Sequence, residues 1–336
     1  MGGNLFKLGR KPRDEYLEIE ADVRRVLDPL LGDGYRIPRY YASKPDFGDM
    51  DVVVRTESTA AAGGVEAFRA ALCERLAITR TKSVGHVFST AYRDLQVDYF
   101  TRPAAVFEAT YHYLSFNDLG NIIGKICKRL GLKYGEDGLS YVFRRPSQPS
   151  YKQALLVSRD WPRILAFLGL DVPAWEAGFD TLEQMFAWVV RSPWFSVAPY
   201  DERDRDRTTE RRARQRRTMA RFVEWLAAEG VEQRCTYRPE RDAYVPEIAA
   251  AFPEAGLPEA LAHEREAEAE AIALREKWSG DLVRDWTGLE GKALGAFIRR
   301  FRQAHPAPEL LALSPEAIRA LVEGFPREDE HEHEHE

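Results

Sequence analysis

Cysteine, histidine and long apolar runs are all scarce in this chain of 336 residues. Its three cysteines, Cys73, Cys127 and Cys235, lie far apart. That spacing excludes a disulfide framework and a cysteine-based zinc site, and it is typical of a reducing, cytoplasmic setting. No stretch approaches about 18 uninterrupted apolar residues, so we expect no membrane span and no membrane partner. The N-terminal segment also lacks the apolar core of a signal peptide.

The last six residues, 331–336, read HEHEHE and are interpreted as a purification tag. They hold three of the seven histidines and three glutamates, so without them the formal net charge changes from −6 to −3. The other four histidines are too scattered for a histidine metal site. Because the charge is close to balance, any binding of nucleic acid must come from local basic patches.

Hydrophobic periodicity divides the chain into a mixed first third and a helical remainder. The predicted order is helix, strand, strand, helix, strand, strand, at residues 14–31, 35–42, 49–55, 65–77, about 82–90 and 92–101. A helix from Asp118 to Leu130, a loop or short hairpin over 132–149, and nearly continuous helix over 150–326 follow. The predicted fold class is therefore α+β, a small mixed sheet followed by a large all-helical region.

The residues with the clearest chemistry are Asp49 and Asp51, which begin the strand Asp-Met-Asp-Val-Val-Val, and Asp98 in a later apolar strand. Residues i and i+2 of a strand point to one face, about 6.6 Å apart along the backbone. If the two strands are neighbours, the three carboxylates meet. An Asp-x-Asp pair alone also occurs on ordinary surface strands, but the valine run and the third aspartate favour a site.

Three adjacent carboxylates repel one another unless cations lie between them. Hard divalent ions with oxygen ligands suit such a cluster, and two Mg²⁺ or Mn²⁺ ions can assist an in-line phosphoryl displacement. Gly48, just before the pair, suits a tight turn at which the backbone approaches a triphosphate. The sequence therefore predicts that Asp49, Asp51 and Asp98 bind metal and are catalytic.

The stretches GDMDVVV and LQVDYF resemble the metal-binding strands of the nucleotidyltransferase superfamily, and most closely those of the DNA polymerase beta-like (family X) polymerases. The resemblance covers about residues 35–142 and implies a catalytic palm that uses nucleoside triphosphates. The family has a Gly-Ser turn before its aspartate pair that helps to hold the triphosphate. Here Pro38-Arg39 aligns with that turn, and if the turn is shortened the candidates are Ser43 and Lys44.

A second match lies downstream, where the family follows its palm with Tyr-Phe-Thr-Gly-Ser and then Asp-x-x-Asn-x-x-x-Arg on a helix. The corresponding residues here are Tyr113 to Asn117, and then Asp118, Asn121 and Lys125. The resemblance implies that Asp118 and Asn121 meet the incoming base, that Tyr113 lies near the sugar, and that Lys125 replaces the arginine. A helix whose polar face is simply solvated explains the same spacing. Phe116-Asn117 replaces the family's second Gly-Ser, which leaves sugar discrimination open.

Two segments of the helical region could contact nucleic acid. Arg211, Arg214, Arg217 and Arg221 form one basic stripe at helical spacing, suited either to a phosphate backbone or to a solvated, salt-bridged helix. Residues 279–301 resemble the terminal helical element of transfer-RNA nucleotidyltransferases and bacterial poly(A) polymerases, although an ordinary helical hairpin explains them equally well.

The function expected from these features is metal-dependent addition of nucleotides to a nucleic-acid 3′-hydroxyl, with release of pyrophosphate and with DNA favoured over RNA as the primer. One alternative is an RNA-end or other small-target nucleotidyltransferase, and another is a non-catalytic nucleic-acid-binding protein. The predicted domains are a nucleotidyltransferase palm (1–105), a nucleotide-binding helix and hairpin (106–150), and a helical nucleic-acid-binding domain (151–330).

Overall fold

The structure, a computed structural model, describes residues 5–200 and 217–327. The described residues form two compact units, the first within Met1–Val142 and Ala154–Leu257, and the second within Phe143–Gln153 and Pro258–Glu336. The predicted α+β class, with a helical C-terminal region, is confirmed. The predicted domain boundaries stay predictions. The segment 331–336, and Arg211 and Arg214 of the basic stripe, lie outside the described residues.

The first unit is organised around a mixed five-stranded sheet. Its N-terminal strands are β1 (Lys11–Pro12), β2 (Tyr35–Arg36), β3 (Asp46–Phe47), β4 (Asp49–Arg55), β5 (Thr81–Val84), β6 (Val87–Tyr92) and β7 (Leu95–Arg102). β1 pairs with β3, and the other five follow the order β2-β4-β7-β6-β5. β4 and β7 are parallel neighbours, whereas the other pairs in this sheet are antiparallel. The strand predicted over 35–42 is reduced to the two residues of β2.

A single strand over 82–90 was the wrong prediction for the next part of the sheet. The chain turns at Gly85 and His86, so that Val84 faces Val87 in an antiparallel hairpin. Gly85 has a φ of 57°, a conformation that costs glycine little because it has no Cβ atom. The apolar residues on both sides of this turn concealed it in the sequence.

The next strand begins at Leu95 rather than at the predicted residue 92. Arg93 and Asp94 form a two-residue turn with φ values of 48° and 56°. Tyr92 consequently pairs with Leu95 across the hairpin. Turns with two positive φ values match the twist of antiparallel strands, which explains why this one is short.

Helices α1 (Arg13–Leu31) and α2 (Val65–Arg75) pack on one face of the sheet. Helix α3 (Ala104–Leu114) contacts the other face, where Arg102 Nε donates to Thr110 Oγ1 at 3.1 Å, and α4 (Leu119–Arg129) follows it in the chain. One face of α1 is buried and comprises Tyr16, Ile19, Val23, Leu27 and Leu31. They share one core with Val52, Val54 and Val97 of the central strands. Full burial of such side chains stabilises the fold by about 1.5–3 kcal/mol each, which fixes the face that these strands present.

The predicted hairpin after α4 is present but longer than expected. It comprises β8 (Leu132–Gly135), β9 (Gly138–Arg145) and β10 (Gln148–Ser158), in the order β10-β9-β8. Helix was predicted from residue 150, and this is wrong as far as Ser158. The run Ala154-Leu155-Leu156 favours helix by intrinsic propensity, but pairing beside β9 decides its conformation.

Beyond β10, the described part of the first unit has several of the predicted helices, but residues 231–238, also predicted to be helical, have no regular secondary structure. The helices of this part are α5 (Trp161–Phe167), α6 (Val172–Ala177), α7 (Leu182–Val189), α8 (Arg217–Ala228) and α9 (Val245–Ala251). Arg39 connects them to the strand region, because its Nη1 donates to the Trp175 and Glu176 carbonyls at 2.8 Å each. The arginine that aligns with the family's phosphate-binding turn is therefore used in packing.

The second unit contains α10 (Leu257–Lys277), α11 (Gly280–Thr287), α12 (Gly291–Ala304), α13 (Ala307–Ala312) and α14 (Pro315–Gly324). Trp278, Phe297 and Phe301 are central to its own apolar core. Ser279 caps α11 by accepting a hydrogen bond from the Leu282 N–H at 3.3 Å. Within the described residues, every helix is too short or too polar to cross a membrane.

Candidate metal centre and nucleotide site

Parallel pairing of β4 with β7 brings the three predicted aspartates together. Asp51 lies directly opposite Asp98, and Asp49 lies opposite Gln96. Each of the three aspartates offers a carboxylate oxygen, and these oxygens all lie within 4.8 Å of one another. The predicted convergence is confirmed, and we refer to Asp49, Asp51 and Asp98 as the acidic triad. Among residues 5–200 and 217–327, no other group of three or more acidic, histidine or cysteine side chains could hold a metal ion.

The apolar faces of β4 and β7, on the side away from the aspartates, determine this arrangement. Val52 and Val54 alternate with the aspartates of β4, and Val97 and Tyr99 flank Asp98 in β7; all four are fully buried. A slip of one residue in either strand would move aspartates into that core and valines out of it. The hydrophobic pattern therefore sets the register that aligns Asp51 with Asp98.

Asp98 is the most enclosed member of the triad, with 5% of its surface exposed. Gln96 Nε2 donates to both of its carboxylate oxygens, at 3.0 and 2.9 Å. Gln96 is oriented in turn by the Leu5 N–H, which donates to its Oε1 at 2.9 Å. Burial raises the pKa of Asp98, while hydrogen bonds from Ser89 and Gln96 oppose that change. Asp98 is thus a fixed carboxylate with increased affinity for a proton.

Asp51 is repelled by both of the other carboxylates in the triad. Burial, followed by repulsion from Asp49 and Asp98, raises its pKa well above the ordinary value, and the positive charge of Lys44 acts in the opposite direction. Within the described parts of the chain, the Asp49 and Asp51 carboxylates have neither a hydrogen bond nor an ion pair. An all-oxygen cluster with unbalanced negative charge fits Mg²⁺ or Mn²⁺ on its donor chemistry.

Lys44, predicted to carry the charge of a phosphate site, interacts electrostatically with Asp49 and Asp51. Its Nζ donates to Asn117 Oδ1 at 2.9 Å and lies 4.2 Å from the centroid of the Phe47 ring. Burial lowers the pKa of Lys44 to about 8, although the negative charges of Asp49 and Asp51 act to raise it. A cation in this position can compensate the charge of an anionic ligand.

Ser43, the other predicted residue of the phosphate turn, is exposed, and its backbone is already engaged. The Ala42 and Ser43 N–H groups donate to the Phe179 and Asp180 carbonyls at 2.8 Å. Ser43 can therefore offer a phosphate its hydroxyl but not its N–H. The turn differs in this respect from a loop whose backbone donors surround a phosphate.

Gly48 separates β3 from the acidic strand and allows Arg10 to approach closely. A Cβ atom at position 48 would lie 2.6 Å from Arg10 Nη1. Arg10 forms an ion pair with Asp46 at 2.8 Å beside this turn. The close approach predicted at Gly48 is thus made by a guanidinium group of the protein itself.

The polar residues at the start of α4 form a connected group. Asn121 Nδ2 donates to Asp118 Oδ1 at 3.2 Å, and the Tyr113 hydroxyl donates to Asn121 Oδ1 at 3.3 Å. Gly120 permits this arrangement, because a Cβ atom there would lie 2.3 Å from the Tyr113 carbonyl oxygen. Lys125 lies further along α4, and its Nζ donates to the Pro199 carbonyl at 2.9 Å.

The described half of the basic stripe lies at the start of α8. Arg217 is 73% exposed and lies 3.9 Å from Asp46 Oδ2, and Arg221 lies 3.1 Å from Glu183 Oε1. Both guanidinium groups remain on the exposed side of the helix, whereas Phe222 on the other side is fully buried. Phe222 is therefore a core residue.

Two residues that matter at the site were absent from the predicted set. Gln96 shares a strand face with Asp98, so the same i, i+2 argument could have identified it. Asn117 gave no comparable signal, because its contact with Lys44 joins residues 73 positions apart. No protein-family model matches this chain, and no curated protein matches it significantly in sequence.

Proposed function

We propose that this protein is a metal-dependent nucleotidyltransferase that adds nucleotides to the 3′-hydroxyl of a nucleic acid and releases pyrophosphate. The observation that carries the proposal is the acidic triad, in which three carboxylates from two parallel strands lie within 4.8 Å of one another. The resemblance of these two strands to the palm of DNA polymerase beta-like enzymes supports the same reaction.

The triad residues have distinct roles in this proposal. Asp49 and Asp51 would hold the nucleotide-side ion, and together with Asp98 they would hold the second. Divalent ions in this position would neutralise the phosphate charges and lower the pKa of the attacking hydroxyl. Asp98, whose pKa is raised by burial, would accept the hydroxyl proton on a carboxylate oxygen, and Gln96 would keep that carboxylate oriented.

The remaining residues bind and position the substrates. The Lys44 ammonium would pair with the phosphates of the nucleoside triphosphate, which places the nucleotide beside the triad. Asp118, Asn121 and Tyr113 form one hydrogen-bonded group that could meet the base and sugar. The exposed Arg217 would contact the primer backbone from the start of α8. Most of the rate enhancement would come from positioning and from charge compensation.

An incorporation assay tests the proposal and identifies the nucleic acid that accepts the nucleotide. Labelled DNA and RNA primers, with and without a template, are offered each NTP and dNTP with Mg²⁺ or Mn²⁺. Template-dependent addition of dNTP identifies a DNA polymerase, and addition to RNA alone identifies an RNA-end nucleotidyltransferase. If no nucleotide is incorporated and no metal-dependent nucleotide binding is detected, the proposed function is wrong and a non-catalytic binding protein is favoured.

A further inference from the structure

The side chain of Lys44 is held at both ends. At the backbone, its N–H donates to the Tyr41 carbonyl at 3.1 Å, and its carbonyl accepts a hydrogen bond from Arg13 Nη1 at 3.3 Å. At the tip, Asn117 Oδ1 accepts from the ammonium at 2.9 Å while the Phe47 ring lies beneath it. The direction of the ammonium group therefore depends on the Asn117 amide.

An ammonium group has three N–H donors, and Asn117 accepts one of them. Across residues 5–200 and 217–327, Lys44 Nζ has no second hydrogen-bond acceptor. Asp49 and Asp51 act on this ammonium electrostatically, which places its charge next to the metal-binding side of the site. The remaining donors are therefore suited to an oxygen-rich anion bound beside the triad.

The backbone at Asn117 adopts an uncommon conformation. Phe116 and Asn117 both adopt left-handed conformations, with φ values of 61° and 60°. Asparagine tolerates this region, but a buried aromatic residue adopts it only when its surroundings enforce it. Phe116 is fully buried, and its N–H donates to the Arg39 carbonyl at 2.6 Å. Such conformations cost about 1–3 kcal/mol each and are concentrated at functional sites.

The nitrogen of the Asn117 side-chain amide contacts the helical part of the first unit. Asn117 Nδ2 lies 3.5 Å from Thr218 Oγ1 in the first turn of α8, a long hydrogen bond. This contact orients the amide so that its oxygen, rather than its nitrogen, faces Lys44. A chain of three side chains, Lys44, Asn117 and Thr218, therefore leads from the triad to the start of α8.

We propose that Asn117 is a positioning residue that directs the Lys44 ammonium toward the terminal phosphates of the nucleoside triphosphate. The inference rests on the proposed function and goes beyond it by assigning these phosphates to a subsite built from Lys44 and Asn117. Asn117 acts through Lys44 and touches no reacting atom.

The test is a double-mutant cycle with Lys44→Gln and Asn117→Gly. Glycine keeps the left-handed backbone while removing the amide. The measured quantities are the inhibition constant of inorganic triphosphate with Mg²⁺, its direct binding by calorimetry, and KM and kcat for the nucleoside triphosphate. A matched control is Asp94→Gly, which removes a polar side chain from another left-handed residue, in an exposed turn.

We expect Asn117→Gly to weaken triphosphate binding and to raise KM by about tenfold, with a smaller effect on kcat, as for loss of one hydrogen bond to a charged group. Asp94→Gly should have no effect on triphosphate binding. In the Lys44→Gln background, Asn117→Gly should cause no further loss, because Asn117 acts through Lys44.

Equal losses from Asn117→Gly in the wild-type and Lys44→Gln backgrounds would overturn the inference, as would unchanged triphosphate binding by Asn117→Gly. In both cases wild-type incorporation stays intact and the proposed function stands. A wild-type protein that neither binds inorganic triphosphate with Mg²⁺ nor incorporates nucleotide would instead overturn both proposals.

Discussion

Replacing Asp51 by asparagine removes one charge from the acidic triad while almost preserving its shape. With carboxylate oxygens within 4.8 Å, two full charges repel by about 3.5 kcal/mol at an effective dielectric constant of about 20. Asp51 takes part in two of the three pairs. Because its pKa is raised, proton uptake relieves part of this repulsion, so the expected gain in the free energy of unfolding is about 1–3 kcal/mol at pH 7 without metal.

Divalent ions should reduce this difference in stability. A ligand at about ten times its Kd stabilises the folded state by about 1.4 kcal/mol. The wild-type protein should gain that amount with Mg²⁺ or Mn²⁺, and Asp51→Asn should gain little. The assay is urea unfolding at pH 7, with EDTA and then with increasing metal.

The control is Asp33→Asn, which makes the same chemical change in a side chain that is 87% exposed and 3.9 Å from Arg55. It should change the free energy of unfolding by less than about 0.5 kcal/mol and leave the metal response intact. If Asp51→Asn is less stable than the wild type in EDTA, or if both respond equally to metal, the electrostatic interpretation of the triad is refuted.

Two further predictions concern other parts of the first unit. Burial lowers the pKa of His112 to about 4, below its unfolded value of about 6.5, so the unfolded chain takes up the proton first. The wild-type protein should therefore lose up to about 3 kcal/mol as the pH falls from 6.5 to 4, and His112→Phe should flatten that part of the unfolding profile; an unchanged profile would contradict the assignment. Replacing both Arg217 and Arg221 by alanine should weaken duplex binding and reduce the slope of log K against log salt by about 2. An unchanged slope would remove these arginines from the binding surface.

The acidic triad could be predicted from the sequence because two simple rules act together. Alternation along β4 puts Asp49 and Asp51 on one face, and the apolar neighbours of Asp98 require that β7 also be buried. Once both strands are central, parallel pairing places Asp98 opposite Asp51. Strong hydrophobic periodicity specifies register, so the contact between these distant residues follows once β4 and β7 are neighbours, a condition that the sequence pattern left open.

Turn positions and long-range polar contacts were harder to predict. Gly85 and His86 lie within a run that reads as one strand, and the turn is decided by how the two halves pair. Residues 150–158 have helix-forming composition but become β10 because they pair beside β9. In both cases the interactions that decide the structure involve other strands, which single-sequence propensity does not contain.

The residues proposed to bind phosphate were also hard to predict in full. Lys44 was predicted from its place before the aspartates, but nothing in the local sequence indicated that Asn117 would hold it. Nor could the sequence indicate that the Ser43 N–H would be used by Asp180. Each contact depends on the path of the chain between segments that lie far apart in sequence.

The most direct test of the central claim is the single-turnover rate of nucleotide incorporation by Asp98→Asn, with Mg²⁺ and the acceptor identified for the wild type. The matched control is Asp94→Asn, the same change four residues away in an exposed turn. We predict that Asp98→Asn remains folded and loses at least about 100-fold in rate, while Asp94→Asn keeps the wild-type rate. A folded Asp98→Asn protein with the wild-type rate would contradict the account.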